Sequence, residues 1–205
     1  MARDTRSVVK LSRREGYALH PKAHKALAKR TTLPGQAANG RMRNKPSQYA
    51  LQLREKQKVK RLYGLLEKQF SNLMAEASRT QGQSGATLLQ YLERRLDNAV
   101  YRAGFASSRR AARQLVTHGH FVLNGRRVDI PSIRLRIGDE VTLREHSKST
   151  EYFKKLDDVS PAPSTIPGWL NIDRKKTTIK VTNLPLRDDA EPEINEQLIV
   201  EYYSR

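Results

Sequence analysis

Residues 92–143 read LERRLDNAVYRAGFASSRRAARQLVTHGHFVLNGRRVDIPSIRLRIGDEVTL. The pattern predicts helices, then a strand, an Asn-Gly turn and further strands. Ser107 or Ser108 is placed to cap a helix that ends at Gly119, and Asn124-Gly125 between two β-type runs is a strong hairpin signal. Basic residues concentrate on this helix and on the turn, an arrangement that presents arginines to a phosphate backbone.

The flanking segments extend this pattern in both directions. Apolar residues from Leu89 to Ala103 recur at steps of 3, 4, 3 and 4, which predicts one continuous amphipathic helix that ends at Gly104. Upstream, helices are predicted from Ser47 to Gly64 and over 67–78. Downstream, Asn195 is placed to cap a C-terminal helix, although a strand is the alternative there. Short strands are predicted at 140–143, 169–172 and 177–181.

Positive charge is dense and unevenly distributed along the 205 residues, whose formal net charge is +18. Residues 1–45 contain 12 Lys and Arg against 2 Asp and Glu, residues 46–145 contain 18 against 9, and residues 146–205 contain 9 against 10. Positively charged side chains at this density repel one another in the free protein. We therefore expect the first two thirds of the chain to bind a polyanion. Nucleic acid is favoured over an anionic membrane because the basic segments carry few bulky apolar anchors.

Several other classes of protein are disfavoured. No apolar run approaches the ~20 residues that span a bilayer, and the N-terminus lacks the apolar core of a secretory signal. The chain contains no cysteine, and His118 and His120 lack further ligands at suitable spacing, so we expect no metal and no cofactor. Because no nucleophile or nucleotide-binding motif is present, we expect no enzyme and name no catalytic residue.

The candidate RNA-binding residues lie on three segments. Arg109 and Arg110 fall in the first turn of the predicted helix and Arg113 one turn on, and replacing all three with Glu is expected to abolish most binding without unfolding the domain. Only 6% of the residues are aromatic, which favours shape and backbone recognition of folded RNA over base stacking. The complete set is Arg13, Arg14, Arg41, Arg43, Lys45, Arg54, Lys56, Lys58, Arg61, Arg109, Arg110, Arg113, His118, His120, Asn124, Arg126 and Arg127.

Residues 1–45 are too poor in apolar side chains to form a core of their own. We expect extended or turn structure there, including SRREG at 12–16, that becomes ordered along RNA. In the helix that follows, Arg54, Lys58 and Arg61 are spaced to share one face, and we interpret that face as part of the RNA surface.

Long ordered motifs over nearly the whole chain resemble the S-four family of bacterial-type small-subunit ribosomal proteins. They are SRREG at 12–16, PGQ at 34–36, LREKQKVKRLYG at 53–64, EKQF at 67–70, LERRLDNAVYRAGF at 92–105, ARQLVTHGHFVLNGRRVDIPS at 112–132 and NEQLIVEYYSR at 195–205. The resemblance implies an α+β fold: a mostly helical lobe and a small helix-helix-strand RNA-binding module, with an extended basic N-terminal arm. The expected domains are 1–45 as that arm, 46–93 as the helical lobe completed by 155–205, and 94–154 as the module.

The resemblance also implies a function in the ribosome. Its partners would be the 5′ domain of small-subunit rRNA, whose binding nucleates assembly, neighbouring small-subunit proteins with which it supports translational accuracy, and messenger RNA near the entry channel. A cytoplasmic, ribosomal location is implied, bacterial rather than organellar. Many members carry zinc-binding cysteines before the RREG motif; Val9 and Ser12 stand there instead, so zinc is not expected. The alternative is a regulatory RNA-binding protein, either a messenger repressor or an antitermination factor.

Overall fold

A computed structural model describes residues 4–30, 32–35, 45–163 and 165–204. The chain divides into two compact units, Met1–Leu88 with Glu193–Arg205 and Leu89–Pro192. We describe each unit by itself. None of the helices in the described ranges is both long and apolar enough to cross a membrane.

Helices form the first unit, and local sequence signals set their ends. They are α1 (Val8–Glu15), α2 (Pro21–Lys29), α3 (Gln48–Leu62), α4 (Glu67–Arg79), the first part of α5 (Ser84–Glu93) and α11 (Glu196–Tyr203). The Ser47 hydroxyl accepts a hydrogen bond from the Ala50 N–H at 3.2 Å and caps α3. The chain leaves α3 through Gly64 in the left-handed conformation. Both predicted ends of this helix are therefore confirmed.

The C-terminal segment forms a helix and not the alternative strand. The Asn195 side chain accepts a hydrogen bond from the Gln197 N–H at 3.1 Å, as a helix cap does. Helix α11 packs against α3, where the Gln52 amide donates to the Glu201 carboxylate at 2.9 Å. Ile199 is fully buried in the resulting core, whose other large members are Val59, Leu62, Leu65, Phe70 and Met74.

The N-terminal segment is more regular than the sequence suggested. The prediction of extended or turn structure at 12–16 is wrong, because α1 covers most of that motif and α2 follows it. Leu11 and Ala23 are buried, and α1 packs against both α2 and α3. The segment forms helices because it buries its few apolar residues against α3, although it could not form a core by itself.

The second unit combines short helices with one antiparallel sheet. Its helices are the end of α5, then α6 (Leu96–Arg102), α7 (Arg109–Thr117), α8 (Glu145–Lys148), α9 (Glu151–Lys154) and α10 (Leu156–Val159), with a 3-10 helix at Arg187–Asp189. Its strands are β1 (Phe121–Leu123), β2 (Arg126–Val128), β3 (Glu140–Leu143), β4 (Leu170–Asp173) and β5 (Thr178–Val181). In the part of the unit that the structure describes, the strand order is β2-β1-β3-β5-β4. The α+β class expected from the sequence is confirmed.

A single apolar core joins α6 and α7 to this sheet. Phe105, Phe121 and Trp169 are its largest members and are almost fully buried. Strand β5 pairs with β3 and contributes Ile179 and Val181 to the core. The segment 155–192 therefore packs with the sheet, whereas the sequence assigned all of 155–205 to the helical lobe. Apolar content alone could not show which unit these strands would join.

The continuous helix predicted over 89–103 is wrong. Helix α5 ends at Glu93 and α6 begins at Leu96. Between them Arg95 forms an antiparallel bridge with Arg134, and the Leu96 N–H donates to the carbonyl of the residue before Arg134 at 2.8 Å. The backbone therefore exchanges helical hydrogen bonds for bonds to a distant extended segment, which the helical spacing of apolar residues cannot reveal.

The predicted hairpin is confirmed. Strands β1 and β2 pair with Leu123 opposite Arg126, so Asn124 and Gly125 form the two-residue turn. Both turn residues have positive φ, 48° and 80°, as the favoured hairpin turn requires. Gly125 has open space around the position of an added Cβ.

Replacing Gly104 with Ala is expected to destabilise the second unit by about 2 kcal/mol or more. Gly104 has φ +73°, and a Cβ there would lie 2.4 Å from Cδ of Pro163. Gly125→Ala is the matched control, because it introduces a similar positive φ, +80°, without a steric clash. Fluorescence of Trp169, the only tryptophan in the chain, measures unfolding of this unit in denaturant. Equal losses for the two variants would contradict the steric argument.

Candidate nucleic-acid interface

Helix α7 begins where the sequence predicted. The Ser108 hydroxyl accepts a hydrogen bond from the Ala111 N–H at 3.3 Å. The first arginine of the helix nevertheless turns inward: Arg109 donates through Nε to the Asn98 side chain and through Nη2 to Glu191, both at 2.9 Å. Its guanidinium also lies 4.6 Å from the ring centroid of Tyr101. The side chain of Arg109 therefore contributes to packing within the second unit.

Asp97 connects two more arginines in the interior of the second unit. Its carboxylate accepts hydrogen bonds from Arg95 at 2.9 and 3.1 Å and from Nη1 of Arg113 at 3.2 Å. The side chains of Asp97 and Arg95 are only 6% and 5% exposed. Ion pairs this deeply buried depend on both partners, because an uncompensated interior charge is costly.

The expectation that Arg109, Arg110 and Arg113 can all be replaced with Glu without unfolding the domain is therefore wrong. Glutamate at 109 or 113 would face Glu191 or Asp97 inside the unit. Arg110, between them, is exposed on the outer face of α7. Arg109 and Arg113 are one turn apart, at i and i+4, whereas Arg110 directly follows Arg109 and lies about 100° further around the helix.

The hairpin presents exposed arginines on a rigid turn. The Asn124 side chain donates to the Asp139 carboxylate at 2.8 Å and accepts from the Glu140 N–H at 2.9 Å, which anchors the turn to β3. Arg126 and Arg127 are both exposed. Arg127 also reaches the end of α7, because a Cβ added to Gly119 would lie 2.7 Å from its Nε. The side chain of Arg127 therefore lies close to the end of α7.

The two histidines differ in their surroundings. His118 is exposed, and its ring centroid lies 6.1 Å from that of His120. Nδ1 of His120 lies 3.0 Å from the Ser147 hydroxyl, and its ring packs edge-on to Phe153. Burial lowers the pKa of His120, and the positive charges of His118 and Arg144 lower it further.

The second unit is expected to lose stability as the pH falls below about 6.5, in part through His120. Above that pH both the folded and the unfolded chain hold a neutral imidazole. Below it the unfolded chain binds a proton first, because the folded pKa of His120 is lowered. His120→Gln should reduce this pH dependence, and His146→Gln, at an exposed site, should not. Trp169 fluorescence in denaturant at about pH 7.5 and about pH 5.5 measures it; an unchanged dependence in H120Q would exclude His120 as the source.

The predicted cationic face of α3 is largely occupied by contacts within the first unit. Arg61 pairs with Glu15 of α1, and Arg54 lies 3.2 Å from the same carboxylate oxygen. Burial raises the pKa of Glu15, and the two arginines oppose that effect. Lys58 lies 2.8 Å from Glu55 and donates to a backbone carbonyl at 2.7 Å. Of these cations, Arg54 keeps the most exposed side chain, at 43%.

Among the predicted RNA-binding residues that the structure describes in the first unit, Lys56 is the most buried. Its side chain is 3% exposed, forms an ion pair with Glu67 and lies 4.5 Å from the ring centroid of Tyr202. Lys60 binds the other oxygen of Glu67 at 2.7 Å. Lys56 therefore holds α4 and α11 to α3, and its ammonium does not face solvent.

The remaining predicted residues lie near the N-terminus. Arg13 is half-buried and donates to the Thr32 carbonyl at 2.9 Å, whereas Arg14 and Lys45 are exposed. Arg41 and Arg43 lie outside the described residues. No group of three or more His, Cys, Asp or Glu side chains in the described ranges is placed to hold a metal ion.

The structure also reveals basic residues that the sequence reasoning missed. Arg94 and Arg134 are half-buried and Arg136 is exposed, all near the bridge between Arg95 and Arg134. The sequence Arg-Leu-Arg at 134–136, in a segment without helical periodicity, could have indicated that Arg134 and Arg136 lie on the same face. Alternate residues of an extended chain share a face.

These features define the chain as an S4-domain protein: the S4 domain family matches residues 94–141, which contain α6, α7 and the hairpin. The family described as Ribosomal protein S4/S9 N-terminal domain matches residues 3–93. Relatives named small ribosomal subunit protein uS4A in Symbiobacterium thermophilum and uS4 in Heliobacterium modesticaldum and Clostridioides difficile are 49%, 50% and 49% identical, each over 100% of both chains. The chain belongs to the uS4 family, which confirms the resemblance in the sequence. These relatives bear the names of ribosomal proteins and not of enzymes.

Proposed function

We propose that this chain is a structural component of the small ribosomal subunit that binds rRNA directly. The observation that carries the proposal is identity of about half of all residues, over the full length of both chains, with proteins named for that subunit. The S4 domain match over residues 94–141 supports direct RNA binding.

The electrostatics of the second unit support the same function. Arg110, His118, Arg126 and Arg127 are all exposed on or next to α7 and the hairpin, and Arg127 lies against Gly119 just beyond α7. Guanidinium groups held in this way suit the phosphates of folded RNA, which proteins recognise mainly by shape and backbone contacts. We propose these four residues, with Asn124 positioning the turn and His120 packed behind it, as the RNA surface of the module at 94–154.

In the first unit we propose a smaller set than the sequence suggested. Arg14, Lys45 and Arg54 are accessible, and Arg13 and Lys58 contribute through their partly exposed atoms. Arg41 and Arg43 remain proposed contacts in the basic N-terminal extension. Lys56 and Arg61 drop out, because their charges are already engaged by Glu67 and Glu15.

The finer proposal is that the chain binds the 5′ domain of small-subunit rRNA early and nucleates assembly of the subunit body. With neighbouring small-subunit proteins it would lie near the messenger entry channel and support decoding accuracy. Because the relatives come from bacteria, we propose ribosomes of the bacterial cytoplasm as its location.

The direct test compares affinities of the full chain for 5′-domain rRNA and for random duplex of equal length at one salt concentration. We expect at least about a 1000-fold preference for the rRNA, the lower end of the range that separates specific from non-specific nucleic-acid binding. Equal affinities would refute the proposal. Co-sedimentation with small subunits after a high-salt wash separates the ribosomal function from the regulatory alternative, since a purely regulatory protein would be washed off.

A further inference from the structure

The turn of the hairpin contains a chemically reactive pair of residues. In an Asn-Gly pair the glycine nitrogen can attack the side-chain carbonyl of the asparagine, because glycine has no side chain to obstruct the approach. Asn124 and Gly125 are both exposed, and there is open space around the position of a Cβ added to Gly125. Neither burial nor steric crowding at Gly125 therefore protects this pair.

Hydrogen bonds to the start of β3 restrain the Asn124 side chain instead. Its Nδ2 donates to the Asp139 carboxylate at 2.8 Å, and its Oδ1 accepts from the Glu140 N–H at 2.9 Å. The Asn124 N–H also donates to the Glu140 carbonyl at 2.9 Å. While both side-chain bonds are in place, the side chain cannot turn back to its own backbone and close a ring on the Gly125 nitrogen.

We propose that Asn124 is a deamidation site that is protected while the turn is bonded to residues 139 and 140 and that reacts when those bonds open. The Gly125 nitrogen loses its proton to solvent and forms a bond to Cγ of Asn124. The bond from Cγ to Nδ2 breaks, and ammonia leaves with a proton from solvent. Water then opens the resulting succinimide ring at either carbonyl carbon, which leaves aspartate or isoaspartate at position 124.

The product of this reaction would prevent the turn from regaining its bonds. Aspartate at position 124 has no Nδ2 donor, and its carboxylate would face that of Asp139 where a 2.8 Å hydrogen bond now joins the two side chains. Like charges this close repel each other, and isoaspartate also adds one atom to the backbone of the two-residue turn. Deamidation would therefore be a permanent record that the turn had opened, and it would remove the anchor that precedes Arg126.

A second Asn-Gly pair in the chain provides an internal reference. Residues 123–126 read LNGR and residues 38–41 read ANGR, so both asparagines are followed by Gly-Arg. Asn39 lies outside the described residues. Trypsin cleaves after arginine, so one digest reports both asparagines on separate peptides. In denaturant, the rate at Asn39 measures the reactivity of the same pair without the fold.

The first test incubates the full chain at mildly alkaline pH, with and without denaturant, and follows deamidation by mass spectrometry of the tryptic peptides. In denaturant, Asn124 should react at a rate comparable to that of Asn39. In native buffer, Asn124 should react at least about tenfold more slowly than in denaturant, which corresponds to about 1.4 kcal/mol for opening of the turn. Equal rates for Asn124 in the two conditions, or no reaction of Asn124 in denaturant, would overturn the proposal.

Asp139→Ala tests the restraint directly, and Asp129→Ala, at an exposed site, is its matched control. In native buffer Asn124 should deamidate at least about threefold faster in D139A than in D129A, because one of its two side-chain bonds is lost. Trp169 fluorescence establishes whether both variants are folded. Equal rates in the two folded variants would contradict the assigned protection, and the comparison for the parent chain does not depend on D139A being folded.

Asn124→Asp imitates one product, and adding Asp139→Asn should reverse its effect. N124D should raise the unfolding equilibrium constant of the second unit at least about tenfold. In N124D/D139N the amide at position 139 can donate to the carboxylate at position 124 while its oxygen accepts from the Arg136 N–H, so most of the loss should be recovered. If N124D were as stable as the parent chain, the proposed effect of the product would be overturned.

These measurements use no RNA, so their outcome is independent of the proposed rRNA-binding function. A chain that failed to prefer 5′-domain rRNA could still protect Asn124 through its fold. A chain that showed the preference could still deamidate at equal rates with and without denaturant, and then the deamidation proposal alone would fail.

Discussion

Replacing Asp97 with Asn is expected to destabilise the second unit by about 3–5 kcal/mol, the cost of removing one partner from a buried ion pair. The carboxylate is the acidic partner of Arg95 and Arg113 and also accepts a hydrogen bond from the Asn98 N–H at 3.0 Å. Asparagine has nearly the same shape, so the loss measures the charge and not a cavity. Denaturant unfolding followed by Trp169 fluorescence reports the effect, because Trp169 lies in the core of this unit.

Asp129→Asn is the matched control for this measurement. Asp129 is an exposed aspartate of the same unit, and we expect its replacement to change stability by less than about 0.5 kcal/mol. Adding Arg113→Met to Asp97→Asn should recover part of the loss, because one of the two interior cations is removed as well. Equal unfolding midpoints for Asp97→Asn and the control would show that the Asp97 pairs do not stabilise the unit.

Reversing two charges on the hairpin, with Arg126→Glu and Arg127→Glu, is expected to weaken binding to 5′-domain rRNA about 100-fold or more. Both side chains are exposed and directly follow a turn that Asn124 anchors, so the change should affect RNA contacts more than folding. The corresponding Gln variants should reduce the salt dependence of binding by about 2, as expected when two phosphate contacts are lost. Fluorescence anisotropy of labelled rRNA across a salt series measures both quantities.

The control for the hairpin variant reverses Lys175 and Lys176, which are exposed in the turn between β4 and β5. The lysine control changes the net charge by the same amount as the hairpin variant. A difference in affinity between the two variants therefore reports the location of the charges and not the net charge of the protein. A similar loss of affinity for both variants would mean that the hairpin acts only through net charge and makes no specific contact. Unfolding curves that match the parent chain establish that each variant is folded.

Much of the fold could be predicted from the sequence because its signals are local. Ser47, Ser108 and Asn195 accept capping hydrogen bonds within three residues, and Asn124-Gly125 forms a two-residue turn between strands that are adjacent in the sequence. The break between α5 and α6 could not be predicted in this way. It depends on Arg134, which pairs with Arg95 from 39 positions away, and no Gly or Pro marks it.

The candidate site was harder to predict because charge in a sequence does not reveal its partner. Arg113 pairs with an aspartate 16 positions earlier, and Arg61 with a glutamate 46 positions earlier. In the sequence, Arg113 and Arg61 could not be distinguished from surface cations, because their acidic partners are distant along the chain. Arg110 and Arg113 are only three residues apart on α7, so helical spacing alone could not show that Arg113 pairs with Asp97 while Arg110 is exposed.

The division of the first unit into two stretches of chain has a consequence for synthesis. Helix α11 packs on α3, and Gln52 donates to Glu201 across 149 positions. The second unit is continuous over Leu89–Pro192, so all its parts have been made before the residues that complete the first unit. During vectorial translation the middle of the chain can therefore fold while the helices that precede it still await their closing segment. The N-terminal helices of the nascent chain therefore complete their packing only after the C-terminal segment has been made.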